Sequence, residues 1–484
     1  YYPVEDASQL KQKLKDAFSD MIKRAAAGTA ASVLASGEGS GANLIQAVFY
    51  PARKFYNTAT SSYDEIKWTG RLTNLWYYVD PFFSTSSIRA DDGNKILDLV
   101  ADDTANHKDY VVQLFYDSVN EITKAHRWKD PDGDGNVISS DQLADVEFED
   151  LGNLWEAGIE LWKRDVTVAA TKRKIYTTTT GTSLLAGNFS QNTNDNGSNP
   201  DNVDLDNAET LRPYFGFTTA DADPAGGTPA IDDDLNNSGG IEVGDGRTLI
   251  RYVHGEDVYS WLRSRTVKVE TYDTTARVWK LGDILNSTPK ISSWLPLNSY
   301  NKVYKDTTYG ESQDPSLSDD ADSTHYITTT AYKNRNMVFA GANDGMLHAF
   351  KLGTLGLKWA SQAGKKQATL GKHCQTTTYR PCEIGGVGGD CPGTEACITD
   401  TDLGKEVWAF IPKNALPYLK YSAYAGYCHT FSIDLTPYIF DASIKIDTDL
   451  NNDLTNDQPI ADCNNASYSD YWKCQKSADS WSTI

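Results

Sequence analysis

The sequence predicts a multidomain, mainly β protein with helical elements, and three observations lead there. Its 484 residues exceed the size at which one core usually stops growing, so several domains are expected. Tyr and Trp are abundant, at 27 and 12, while hydrophobic residues make up only 39%, the balance of strand-rich domains separated by polar insertions. Short apolar runs broken by Gly, Asn and Pro recur toward the C-terminus, as in NMVFAGANDGMLHAFKL, residues 336–352.

Taken in order, the chain opens on YYPV, then Asp6 as a helix cap with Gln9 three positions on, and Leu10, Leu14, Phe18, Met21 and Ile22 at helical spacing. A strand end feeding an amphipathic helix reads either as the last unit of an α/β domain, residues 1–27, or as an N-terminal helix packed on the next domain. Residues 28–250 read as a mixed α/β connecting domain. SVLASGEGSGANLIQAVFYPARKF and IKWTGRLTNLWYYV have strand composition, whereas NHKDYVVQLFYDSVNEITKAHRW and LADVEFEDLGNLWEAGIELWKR carry apolar residues at helical spacing, the latter with Trp155, Ile159 and Trp162 on one side. Residues 185–247 are rich in Asn, Asp, Gly and Pro and read as exposed loops, with Asp232, Asp233 and Asp234 as a solvated acidic face.

From Arg251 the strand and turn signals return, RYVHG and VYSWLRS reading as a strand and a helix or turn. NMVFAG, the turn Asn343-Asp344-Gly345 and MLHAFKL form a hairpin of the kind found in propeller blades, and GKEVWAFIPKNALPYL and HTFSIDLTPYIFDASI repeat the β-rich pattern. Residues 251–484 therefore read as the first part of a β-propeller carrying a cysteine-rich insertion. Two or three blades do not close a ring, so a remaining propeller segment, in cis or as a separate chain, is expected.

Charge and cysteine usage narrow the function. A formal charge of −21 disfavours nucleic acid or an anionic membrane as partner and favours divalent cations. No apolar run is long enough for a membrane span. All seven cysteines lie between Cys374 and Cys474, and none forms a CxxC pair, which favours disulfides in an oxidising compartment over zinc. Proximity in sequence suggests Cys374 with Cys382, Cys391 with Cys397, and a third bridge drawn from Cys428, Cys463 and Cys474.

The chemistry is concentrated in DPDGDGNVISSD, residues 130–141. A calcium loop supplies oxygens at positions 1, 3, 5, 7 and 12 around a sharp turn at position 6. Asp130, Asp132, Asp134, the Asn136 carbonyl and Asp141 occupy that register, with Gly135 at the turn and Val137 as an inward apolar residue. Ile138 offers no oxygen at position 9, and Asp141 stands where Glu reaches further, a pattern similar to the Asp-ending loops of dockerin repeats. The expected cofactor is Ca2+. The run IDTDLNNDLTND, with Asp447, Asp449, Asn451 and Asp453, lacks the glycine and reads as a solvent loop. The seven histidines form no HExxH, no serine sits in a GxSxG elbow, and His348 reads as structural, so no enzyme activity is expected.

WKLGDILNSTPK (279–290), VFAGANDGMLHAFK (338–351) and EVWAFIPKNALPYLKY (406–421) resemble successive signatures of the PilY/PilC family of type IV pilus tip adhesins and assembly factors, and FYPARKF, LWEAGIELWKR and RKIYT are similar to stretches of its preceding half. The resemblance implies that residues 1–27 end a von Willebrand A-like domain and that the C-terminal domain is an incomplete modified β-propeller. It implies an extracellular protein at the pilus tip, reached through the periplasm, that acts in pilus assembly, twitching motility and attachment with minor pilins or pilin subunits as partners. Residues 1–27 lack the DxSxS metal string of the A-type domain, and the family's propeller calcium loop is not recognisable. The alternatives are a structural calcium-binding protein of the cell surface and, further off, a propeller oxidoreductase.

Overall fold

The computed structural model describes residues 32–35, 41–79, 85–102, 109–117, 122–179, 208, 210–218, 233–237, 241, 243–311, 325–361, 366–382, 391–443 and 481–484. Among the described residues, six sheets and several short helices make a mixed α and β structure. Among the described residues no helix is long and apolar enough to cross a membrane. The opening strand and helix and the run 447–453 lie outside the described residues.

The first sheet is built on a long hairpin, β2 (Gly41–Asn57) and β3 (Ser62–Tyr78). Beside β2 lies β1 (Ser32–Ala35), and beyond β3 follow β4 (Ser87–Arg89), β6 (Val111–Asp117), β7 (Ile122–Trp128) and β8 (Val146–Glu147); the short β9 (Trp155–Glu156) also pairs with β3. Alternating side chains serve two cores, as the period of two requires. Ile45, Leu72 and Trp76 share one with Leu281, Val338 and Phe350, while Leu44, Val48, Leu75, Val112 and Phe148 form the other. Pro51 has no N–H to give, and the Pro51–Trp68 pair drops out of an otherwise continuous ladder; Trp68 there takes a φ of +54°.

A second sheet has the order β10 (Ile175–Thr177), β20 (Glu406–Ile411), β15 (Met346–Lys351), β14 (Met337–Ala342) and β13 (Lys290–Ser292). β13, β14, β15 and β20 form an antiparallel meander, and β10 adds in parallel to β20. The Asn343-Asp344-Gly345 turn joins β14 to β15, with Gly345 at φ +94°, a conformation that costs glycine no steric strain. Smaller sheets pair β11 (Thr266–Val269) with β12 (Asp273–Val278), β16 (Leu355–Ser361) with β17 (Lys366–Leu370) and then β5 (Ile96–Asp98), β18 (Lys372–Cys374) with β19 (Cys397–Thr399), and β21 (Asp441–Ser443) with β22 (Trp481–Thr483).

Helix α1 (Ala157–Lys163) starts where the Glu156 carboxylate accepts from the Gly158 and Ile159 N–H groups, and it buries Ile159, Leu161 and Trp162. Trp155 lies just outside it, on β9. Helix α2 (Val243–His254) buries Leu249, Ile250 and Val253.

Several expectations are corrected. The stretch expected to be helical before the acidic loop is the β6–β7 hairpin; its Val, Ile, Thr and aromatic residues suit the pleated surface, and their near-helical spacing is incidental. RYVHG closes α2, which begins inside the run expected to be loop, because packing outweighs the poor propensity of Gly244 and Gly246. HTFSIDLTPYIFDASI is largely irregular, with strand only at its end. Asp233 and Asp234 are buried rather than solvated, and Asp233 accepts from the Thr218 N–H and the Lys420 ammonium. Among the described residues two disulfides are present, but they cross, joining Cys374 to Cys391 and Cys382 to Cys397. Local sequence proximity does not decide pairing when two strands and their flanking loops fold together. Cys428 is exposed and unbridged among the described residues; Cys463 and Cys474 lie outside them.

Candidate metal centre

The acidic loop leaves β7 and ends in a short 3-10 turn, Ser139–Asp141, so it joins a strand to a turn and not two helices. Two backbone bonds between Asp130 and Ala101 pin its first residue, and Lys129 N–H donates to the Asp141 carbonyl at 2.9 Å, pinning its last. Within it Gly133 and Gly135 take φ of +63° and +79°. Gly135 is also required by space, since a Cβ there would meet Thr85 Cβ at 2.6 Å.

Carboxylate oxygens of Asp130, Asp132 and Asp134 lie within 4.8 Å of one another. Asp130 is fully buried and accepts from the Asp134 and Gly135 N–H groups at 3.1 Å each. Asp132 and Asp134 are exposed. The Asn136 side-chain amide donates to Asp134 at 2.7 Å. Asp141 does not join the carboxylate group, and Val137 is exposed rather than inward. The donor set is all oxygen, which fits a hard divalent cation held by Asp130, Asp132 and Asp134.

Sequence reasoning missed the residue behind the loop. Arg89 Nη2 donates to Asp130 Oδ2 at 2.6 Å, Nη1 donates to the Leu99 carbonyl at 2.7 Å, and neither Arg89 nor Asp130 is exposed. Burial holds the Asp130 carboxyl above its ordinary range, and Arg89 pulls it part of the way back. Also missed was a second acidic group, Asp91, Asp92 and Asp109. Burial pushes Asp91 up to about 6, against hydrogen bonds from Trp76 and the Gly93 and Lys95 N–H groups, and burial together with Asp91 raises Asp109 well above the usual carboxylate range. The string ADDGNK carried a signal for it in its adjacent aspartates and turn glycine.

The five-stranded sheet holds another buried polar chain. Arg173 grips Glu406 with two bonds of 2.8 Å, His348 Nδ1 meets Glu406 at 2.8 Å, and His348 Nε2 lies 3.1 Å from Asp344, which accepts from the Gly282 N–H. His348 is therefore buried and links the turn residue Asp344 to Glu406 on the neighbouring strand. No family model, curated protein or solved structure matches the chain.

Proposed function

We propose that the chain is a calcium-binding adhesin and assembly factor of type IV pili, of the PilY/PilC kind, acting outside the cell at the fibre tip with minor pilins as partners and without enzymatic activity. The observation that carries this reading is where the family-like strings fall. WKLGDILNSTPK leads into β13, VFAGANDGMLHAFK supplies β14 and β15, EVWAFIPKNALPYLKY supplies β20, and RKIYT from the preceding half supplies β10, so strings far apart in sequence share one sheet. Its four-stranded antiparallel meander is the layout of a propeller blade. Two disulfides fit an oxidising compartment. The cation is Ca2+, bound by Asp130, Asp132 and Asp134 with the Asn136 carbonyl.

The test is genetic: deleting the gene abolishes twitching and surface piliation in its host, and restoring the full chain recovers both. Normal piliation and motility in the deletion strain contradict the reading. A structural calcium-binding role at the cell surface is the second reading, favoured by the fact that neither the metal loop nor the disulfides require a pilin; under it the deletion strain retains its pili.

A further inference from the structure

A cleft of about 970 Å³ is walled by the β18–β19 hairpin, the end of β15 and the segment that follows α1. Sites for small organic ligands run to about 300–1,000 Å³, so a ligand has room here. Three polar side chains of the wall converge without bonding to one another. Asp400 is more than nine-tenths buried; its Oδ1 accepts from the Asp402 N–H at 2.9 Å, but its Oδ2 finds no hydrogen-bond partner among the described residues. Lys351 Nζ stands 4.0 Å from that oxygen and His373 Nε2 3.8 Å, both beyond hydrogen-bond reach. His373 Nδ1 lies 2.9 Å from the Cys374 carbonyl, which only accepts, so Nδ1 carries a hydrogen and Nε2 is the nitrogen left for the cleft.

The backbone that carries these groups is held in place. The crossed disulfides staple the hairpin that bears His373, Asp400 N–H donates to the Gly371 carbonyl at 2.7 Å, and Lys351 N–H donates to the Lys405 carbonyl at 2.9 Å. A buried carboxylate oxygen left without a donor is costly, and the mixture of charges selects what can satisfy it. A bare anion meets the Asp400 carboxylate. A metal cation meets the Lys351 ammonium, and no third ligand joins His373 and Asp400 in a metal-binding group among the described residues. A hydroxyl meets neither objection, because its hydrogen donates to Asp400 Oδ2 while its oxygen accepts from Lys351 Nζ. A hydroxyl on the adjoining carbon is then placed for His373 Nε2. Other charged groups of the wall are engaged: Lys163 with Glu160 at 3.1 Å, Lys405 with Asp402 at 2.9 Å, and Arg164 with the carbonyls of Thr171, Lys172 and Glu406.

We propose that this cleft binds a neutral sugar through two adjacent hydroxyls, one seated between Asp400 and Lys351 and the other at His373. The site lies apart from the acidic loop and does not rest on the pilus reading, since its ligand is recognised by the same three side chains whatever structure carries the chain.

Saturation-transfer NMR of the full chain with the methyl glycosides of glucose, galactose, mannose, fucose, N-acetylglucosamine and sialic acid tests it, followed by isothermal titration of those that bind. At least one neutral glycoside binds, in calcium and in chelator alike. Asp400→Asn, which keeps an oxygen for the Asp402 N–H, and Lys351→Met, which keeps the stem, each weaken it by about tenfold or more while the melting curve stays cooperative. Lys174→Met, at another part of the wall, leaves the affinity unchanged. Binding by none of the neutral glycosides, or binding that survives Asp400→Asn, overturns the assignment in favour of a water-bridged ion cluster. Binding confined to sialic acid overturns it in favour of an anion held by the wall's lysines. None of these outcomes bears on the piliation of a deletion strain, so this site and the pilus reading fail separately.

Discussion

Arg89 and Asp130 form an ion pair of 2.6 Å with no exposure of either side chain, and through it the first residue of the acidic loop is anchored in the protein interior. The loop's other two clustered carboxylates, Asp132 and Asp134, face solvent. The first-position aspartate is thus held in place by protein contacts alone, while Asp132 and Asp134 are open to solvent.

This division of labour separates two substitutions. Asp130→Ala leaves the Arg89 charge buried without its partner and is expected to cost about 3–5 kcal/mol of stability even in chelator. Asp132→Ala leaves the chelated protein's stability within about 0.5 kcal/mol and abolishes the calcium heat measured by isothermal titration. Calcium heat that is retained in Asp132→Ala contradicts the assignment of the loop.

His348 gives the sheet a pH limit. Burial alone would lower its pKa, but Asp344 and Glu406 outweigh burial and raise it from 6.5 to about 9. The stability these contacts supply is fully present below pH 6.5 and is lost as the pH rises through 9. On the order of 3 kcal/mol is at stake. The expected result is a Tm that falls between pH 7 and pH 10 and a shallower fall in His348→Gln; parallel curves for the two proteins contradict it.

The crossed disulfides predict a specific peptide map. Under non-reducing conditions Cys374 is found with Cys391 and Cys382 with Cys397. Each closes a short loop worth about 3 kcal/mol of unfolded-state entropy, so the double substitution Cys382→Ser/Cys397→Ser lowers Tm and increases proteolysis between Lys372 and Thr399. A map joining Cys374 to Cys382 contradicts the structure.

What was legible in the sequence was local. The β14–β15 hairpin is written in Asn343-Asp344-Gly345 between two apolar runs, and the acidic loop in its alternating aspartates and Gly135, because turn chemistry depends on adjacent residues. Arg89 was not legible, since its partner Asp130 is 41 residues away and only the packing of β4 beside β6 and β7 brings them together. The β6–β7 hairpin was misread because Val111, Leu114 and Phe115 have helical spacing, and only the pairing of Val112 with Arg127 and its neighbours resolves the ambiguity. Arg173 lies 233 residues from Glu406, and nothing in RKIYT announces a buried arginine. Burial of Asp233 depended likewise on Lys420, far along the chain.

What this chain contacts in the cell separates a pilus-tip adhesin from a structural protein of the cell surface. Chemical cross-linking of intact cells, followed by mass spectrometry of the chains captured with this one, is predicted to recover minor pilins in stoichiometric amounts, with cross-links from sheared fibres as well as from the cell body. Capture of envelope proteins alone, with no pilin subunit and no signal in the fibre fraction, would contradict it.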